Sequence, residues 1–254
     1  MIRATAIVPA AGVSARFGTD KLSQDLGGRP LLVRTVEALS RRPEVKQIIV
    51  AGPPASLEQF KERFGPVLGF HGAEIVGGGE TDRWETVACA IGSVAEDATH
   101  ILVHDAARPC IGDALLDRLF EAAATLDAVI PGVPIASTIK QVDSNTSCDV
   151  AQGDALADSI LGADTAPGIE ACPIVQTIPR SNLVLAQTPQ IFRREVLIGA
   201  YAGGGLEGTT DDASVVERAG HTVHVVAGDP LNIKITRGAD LRLASAIMRD
   251  MQSN

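Results

Sequence analysis

Residues 4–21, ATAIVPAAGVSARFGTDK, pass from a β-rich apolar run into a loop of small residues that carries two cations, Arg16 and Lys21. ATAIVPA (4–10) reads as a strand. The order of elements after this strand decides the fold. Pro30 opens a helix with Leu32, Val36 and Leu39 on one face and Pro43 beyond its end. VKQIIVAG (45–52) predicts a second strand and the residues around 55–64 a helix. AEIV (73–76) predicts a third strand, leading through GGGETDR to a helix near 84–94. HILVHDAARP (100–109) is a strand ending in polar residues; Leu115, Leu116, Leu119, Phe120 and Ala123 then take helical spacing after Asp113. LDAVIPGVPI (126–135) is another buried strand, and the regular pattern, broken after it, returns with LVLAQTPQIF (183–192). A helix over about 211–219 is expected to be capped by Thr209 or Thr210 and stopped at Gly220. HTVHVVAG (221–228) is a strand, NIKI an extended piece, and a last helix begins after Thr236, its expected cap. Strand–helix alternation of this kind implies an α/β fold: a Rossmann-like, mostly parallel sheet with helices on both faces.

Composition agrees. The 254 residues are 45% hydrophobic but only 3% aromatic, which suits buried strands under helices and disfavours a lectin-like sandwich or a stacking platform for single strands. The four cysteines, Cys89, Cys110, Cys148 and Cys172, form no C-x-x-C pair or zinc spacing and read as free thiols of a reducing compartment. The opening apolar run, broken at Pro9, is too short for a signal peptide or membrane span, so a cytoplasmic chain with no membrane partner is expected. A formal charge of −9 disfavours general nucleic-acid binding. Much of that charge is local: between Lys140 and Arg180 there is no Lys or Arg, against Asp143, Asp149, Asp154, Asp158, Asp164 and Glu170. Residues 141–173 also break the strand–helix rhythm and fit a protruding excursion better than a core element. The remainder has room for a basic pocket.

Three segments carry candidate chemistry. Ligands of parallel sheets bind in loops beyond the strands' carboxyl ends. In PAAGVSARFGTDK (9–21), Ala10, Ala11 and Gly12 let backbone N–H groups approach a phosphate, and Arg16 and Lys21 add charge; a tight turn with two solvated cations is the alternative. The loop is neither G-x-G-x-x-G nor a Walker A sequence. In LVHDAARP (102–109), Asp105 can hold a hydrated Mg²⁺ or orient a ribose, and Arg108 can pair with it or grip a phosphate; an Asp–Arg pair capping the next helix is the alternative. His104 reads as a hydrogen-bonded structural residue. In LNIKITRGADL (231–241), Lys234 points opposite to Ile233 and Ile235 and is a candidate for neutralising transferring phosphate oxygens. TTDDAS (209–214) reads as a helix start first and a ligand contact second.

PAAG-x-x-x-R-F, HDAARP, S-T-I-K, Q-T-P-Q-x-F, T-D-D-A-S and N-I-K-I-T-R occur in that order at suitable separations. Together they resemble the 2-C-methyl-D-erythritol 4-phosphate cytidylyltransferases of the non-mevalonate isoprenoid pathway, over about residues 4–250 without the insertion. Ribitol-5-phosphate cytidylyltransferases tend to carry a glycine pair in the first loop and Ser-Val in the second motif, where this chain has PAAG and HDAARP. They are kept as an alternative, as is a non-catalytic nucleotide-binding regulator. A nicotinamide oxidoreductase lacks its fingerprint here.

The resemblance implies one nucleotidyltransferase domain over 1–254, with a dimerisation arm and the acidic insertion at about 136–180. It implies CTP and methylerythritol phosphate as substrates, Mg²⁺ bound with CTP, and a homodimer. Ala10, Ala11, Gly12 and Arg16 match the loop around the triphosphate, and Lys21 and Lys234 its essential lysines. Gly78, Arg83 and Thr86 fall in the cytosine-reading segment. Asp105 and Arg108 match the motif near ribose, metal and sugar phosphate, and Thr210 joins the substrate contacts. Thr138, Lys140 and Arg180 match an arm that reaches a partner subunit. Two departures stand out: Asp20-Lys21-Leu22 replaces the usual Pro-Lys-Gln, and the arm is longer than usual.

Overall fold

In the computed structural model, which describes residues 1–12, 20–143, 148–150 and 169–253, β1 (Ala4–Pro9) is flanked on both sides by parallel neighbours. In chain order the other elements are α1 (Leu31–Ser40), β2 (Val45–Gly52), α2 (Leu57–Phe70), β3 (Ala73–Gly77), α3 (Arg83–Ile91), β4 (His100–Val103), α4 (Asp113–Ala123) and β5 (Ala128–Pro134). They continue with β6 (Ile139–Val142), β7 (Cys148–Val150), β8 (Ile169–Ala171), β9 (Ile174–Ile178), β10 (Val184–Ala186), β11 (Gln190–Arg193), α5 (Arg194–Ala202), α6 (Asp212–Arg218), β12 (His224–Ala227) and α7 (Gly238–Ser253). The chain divides into two compact units: Met1–Val133 with Ala186–Asn254, and Pro134–Leu185.

In the larger unit the sheet runs β5-β11-β4-β1-β2-β3, with β12 beside β5. Successive side chains of β1 feed opposite faces, as a period of two requires: Ala6 and Val8 join one core, Ile7 the other. The first core takes Leu32, Val36 and Leu39 of α1, Leu115 and Leu119 of α4, and Ala244 of α7. The second takes Val87 of α3, Leu197 of α5 and Val216 of α6. Helices therefore cover both faces, as expected from the alternation.

Every sheet pairing along β3, β2, β1 and β4 is parallel, but β11 runs antiparallel to both β4 and β5. LVLAQTPQIF is accordingly two strands, β10 and β11, rather than one regular stretch. The chain leaves the larger unit at the carboxyl end of β5 and re-enters beside it, where Gln187 N–H donates to the Pro131 carbonyl. A strand that starts at that edge can only run back down the sheet.

Other differences are local. α2 extends past the expected 64 to Phe70, through Pro66, because Phe60, Phe64 and Leu68 recur every fourth residue and all bury. α6 is capped by Asp211, not by a threonine: the Asp211 carboxylate accepts from Ser214 N–H. Near α7, Thr236 donates its N–H and hydroxyl to Asp240, each at 2.8 Å, so Asp240 supplies the acceptor expected of Thr236. On α1, the buried Glu37 collects Arg29, Arg34 and Arg41. Burial alone would raise its pKa; Arg29, Arg41 and Arg34 outweigh it and hold the carboxyl below its ordinary value.

Within the smaller unit, β6 pairs antiparallel with β9 and β7 with β8. The expected excursion at 141–173 thus begins on a ladder strand, and most of it (144–147 and 151–168) lies outside the described residues. Cys89 and Cys172 are exposed free thiols and Cys110 a buried one. Among the described residues no helix is long and apolar enough to cross a membrane.

Candidate active site

Because β1, β3 and β4 run parallel, the segments after Pro9, Gly77 and Val103 emerge at one edge of the sheet. They enclose a cleft of about 350 Å³, lined by Ala10, Ala11 and Gly12, by Lys21, by residues 79–83 with Thr86, and by Asp105 and Lys234. A second cavity of about 200 Å³, lined by Arg108, Gln187, Gln190, Thr210 and Asp211, shares Arg83, Asp105 and Lys234 with the first.

Asp105 is the centre of charge. Its Oδ2 lies 2.8 Å from Lys234 Nζ and 3.7 Å from Arg108 Nε; its Oδ1 accepts from Arg83 Nε at 3.1 Å. Burial pushes the Asp105 pKa up, but Arg83, Lys234 and Arg108 together hold it far below the usual carboxylate range. The carboxylate is therefore ionised at any physiological pH. Lys234 stands on an extended segment tied to the sheet edge by Ile235 N–H donating to the Ala107 carbonyl at 2.8 Å. Ile235 is buried, so Lys234 must face the other way, into the cleft.

The turn that presents Asp105 and Arg108 is fixed from beneath. Asp105 N–H donates to Thr188 Oγ1 at 3.0 Å; that hydroxyl then donates to His104 Nδ1 at 3.1 Å, leaving Nε2–H to donate to the Arg108 carbonyl at 3.0 Å. Burial pushes the fully enclosed His104 down to about 4, so it is neutral and structural, as the sequence suggested. Arg108 also donates Nη1 to the Asn232 carbonyl at 2.8 Å, tying this turn to the segment that bears Lys234.

The loop after β3 is held by α3. Thr86 Oγ1 accepts from Gly79 N–H at 3.2 Å, and Glu85 accepts from Thr81 N–H at 2.9 Å. Gly78 does not line the cleft; it sits behind it, where a Cβ would stand 2.8 Å from that of Ala11 and 3.0 Å from the Gly52 carbonyl. Its neighbours Gly79 and Glu80 line the cleft instead, a shift of one residue that a glycine run cannot reveal. Asp20, where the family pattern has proline, caps the short turn at Lys21–Ser23 and pairs with Arg63 at 2.7 Å, so the departure anchors Lys21 by other means.

Arg16 lies outside the described residues. Thr138, Lys140 and Arg180 are exposed residues of the smaller unit, where Lys140 donates to Thr177 Oγ1 at 2.6 Å and Arg180 to the Ala136 carbonyl. Residues missed in the sequence are Gln187, Gln190 and Asp211, which line the second cavity, and Asp212, which pairs with Arg83. Their motifs, QTPQ and TDDAS, were visible; their convergence was not.

A parallel-sheet edge that brings Lys21, Arg83, Arg108 and Lys234 to two adjoining cavities, with the ionised Asp105 where they meet, is the arrangement of an α/β nucleotidyltransferase. A family model described as 2-C-methyl-D-erythritol 4-phosphate cytidylyltransferase matches residues 4–156 and 147–250. The protein of that name from Frankia casuarinae is 41% identical over 97% of this chain and 81% of its own length. The one from Acidobacterium capsulatum is 38% identical over 99% of this chain and 100% of its own length. The crystal structure of the enzyme so named from Thermus thermophilus superposes with a TM-score of 0.71 at 28% identity, covering 96% of this chain and 98% of that one. The chain belongs to the 2-C-methyl-D-erythritol 4-phosphate cytidylyltransferase family.

Proposed function

We propose that the chain joins CTP to 2-C-methyl-D-erythritol 4-phosphate, giving 4-diphosphocytidyl-2-C-methyl-D-erythritol and pyrophosphate. One observation carries the reading: two cavities meet at Arg83, Asp105 and Lys234. A nucleotide in the larger cleft and a phosphorylated polyol in the smaller one would bring their phosphates together at that junction. An oxygen of the 4-phosphate attacks the α-phosphorus in line; the bond from that phosphorus to the bridging oxygen breaks, and pyrophosphate leaves with its electron pair. The acceptor phosphate is already a nucleophile at neutral pH, so the chain needs no strong general base. It has to hold two anions together and stabilise the charge that develops between them.

Lys21 and Lys234 supply that charge, with Arg16 from the first loop, while the backbone of Ala10–Gly12 receives the triphosphate. Thr86 orders the base-reading loop through Gly79 N–H, with Gly78 packed behind it and Arg83 at its far end against Asp105. Arg108 and Thr210 receive the acceptor. Among the described residues no cluster of three His, Cys, Asp or Glu side chains surrounds the cleft, so a protein cage for a metal is not on offer. The ionised Asp105 at the junction of the two cavities does suit Mg²⁺, which is commonly held by one or two carboxylates and substrate phosphates. Asp105 would hold it, and when bound the ion neutralises triphosphate oxygens.

A homodimer and a cytoplasmic setting complete the proposal. Val142, Ile174 and Val175 of the smaller unit are exposed, an apolar surface that supports pairing with a second copy, with Thr138, Lys140 and Arg180 serving the partner's acceptor site. The test is pyrophosphate release with CTP and methylerythritol phosphate. Release is expected; CTP binding without release would favour a regulator, and release only with ribitol 5-phosphate would favour the other cytidylyltransferase group.

A further inference from the structure

The first residue of α6, Asp212, is fully buried. A carboxylate taken out of water persists only with strong partners. Among the described residues it has two: Arg83 Nη2 donates to Oδ2 at 2.7 Å, and the Tyr201 hydroxyl of α5 donates to Oδ1 at 2.7 Å. The same guanidinium donates its Nε to Asp105 at 3.1 Å. Arg83 is thus a planar bridge between an anion at the cleft and an anion behind it, a geometry that lysine cannot reproduce. The α6 terminus is itself fixed, since Ala213 N–H donates to Gln190 Oε1 at 2.9 Å and Gln190 Nε2 to Asp211 at 2.8 Å.

Three cations face Asp105, and polyanionic substrates compete for all of them. Among the described residues, Arg83 alone of the three holds a second carboxylate. We propose that Asp212, oriented by Tyr201, is a positioning residue for the transfer: it locks Arg83 onto Asp105 while Lys234 and Arg108 turn to phosphate oxygens. The proposal rests on the reading of the cleft given above. Coupling between variants shows that Asp212 acts through Arg83, and the unfolding midpoint separates positioning from a mere tie between α3 and α6: a loss of kcat/KM at an unchanged midpoint is expected, and a loss that only follows a lowered midpoint overturns the proposal.

The experiment is a double-mutant cycle on kcat/KM for CTP, by pyrophosphate release, with Asp212→Asn, Arg83→Gln and the double variant. Asp212→Asn is expected to lose ~30-fold alone but under ~3-fold in the Arg83→Gln background, because its effect passes through Arg83. Losses that multiply, or an Asp212→Asn enzyme with unchanged kcat/KM, overturn the proposal. Should Asp212→Asn not fold, Tyr201→Phe keeps the packing: a ~3- to 5-fold loss that disappears with Arg83→Gln is expected, and an additive or absent effect overturns it. The same cycle read on CTP affinity by calorimetry needs no turnover. A wild type that binds CTP but releases no pyrophosphate therefore refutes the proposed function without deciding the network, which the binding cycle then decides.

Discussion

Lys234 Nζ lies 2.8 Å from Asp105 Oδ2, although one residue follows β4 and the other precedes the last helix. This pair keeps an ammonium aimed at the junction of the two cavities. Lys234→Ala and Lys21→Ala should each lower kcat more than they weaken CTP binding, by ~100-fold or about 3 kcal/mol, because these contacts strengthen as charge develops on the α-phosphoryl group. Steady-state kinetics alongside CTP titration checks it; normal turnover in either variant would defeat the mechanism.

Base selection should reside in the loop after β3. Thr86 and Glu85 hold Gly79 and Thr81 by their N–H groups, leaving a preset backbone edge for cytosine. CTP should be preferred over UTP, ATP and GTP, since a site built to bond one edge leaves polar groups unpaired with another. Gly79→Ala should raise KM for CTP, because its Cβ would stand 2.8 Å from Thr86 N. Equal use of CTP and UTP in competition would refute the assignment.

If the dimer shares its sites, Lys21→Ala and Arg180→Ala proteins should both be nearly inactive, yet regain activity when dissociated and re-mixed. The heterodimer would hold one doubly damaged site and one intact one. Confirmed heterodimers without activity would sink the shared-site model and leave the reaction standing.

Glu37→Gln should destabilise the fold by ~1 kcal/mol at neutral pH, as a buried carboxylate loses its attraction to Arg29, Arg41 and Arg34. The folded pKa is lowered, so this stabilisation is complete above the ordinary value of 4.5 and is lost as pH falls through the folded value. Thermal unfolding of both proteins should show a gap at pH 7 that closes in strong acid. A gap that widens with acid would contradict the arrangement.

Much of this molecule was legible in order along the chain. Apolar runs such as ATAIVPA and VKQIIVAG and the helical spacing of Leu115–Ala123 placed the elements, because burial on one or both faces leaves a period that needs no partner to be read. HDAARP and NIKITR drew Asp105, Arg108 and Lys234 together as candidates, since charged residues where apolar strands end stand at the edge where a parallel sheet receives its ligands. Tertiary structure alone decided three things. The direction of β11 depends on where the chain re-enters the sheet, not on its own residues. The α6 cap fell to Asp211 rather than Thr210 because Gln190 receives and fixes that terminus. Asp212 looked like one more polar residue at a helix start; its burial, and its hold on Arg83 across 129 residues, arise only when α3, α5 and α6 pack on one face of the sheet. Periodicity is a local property of a sequence, whereas the pairing of buried charges is set by which distant segments the core brings together.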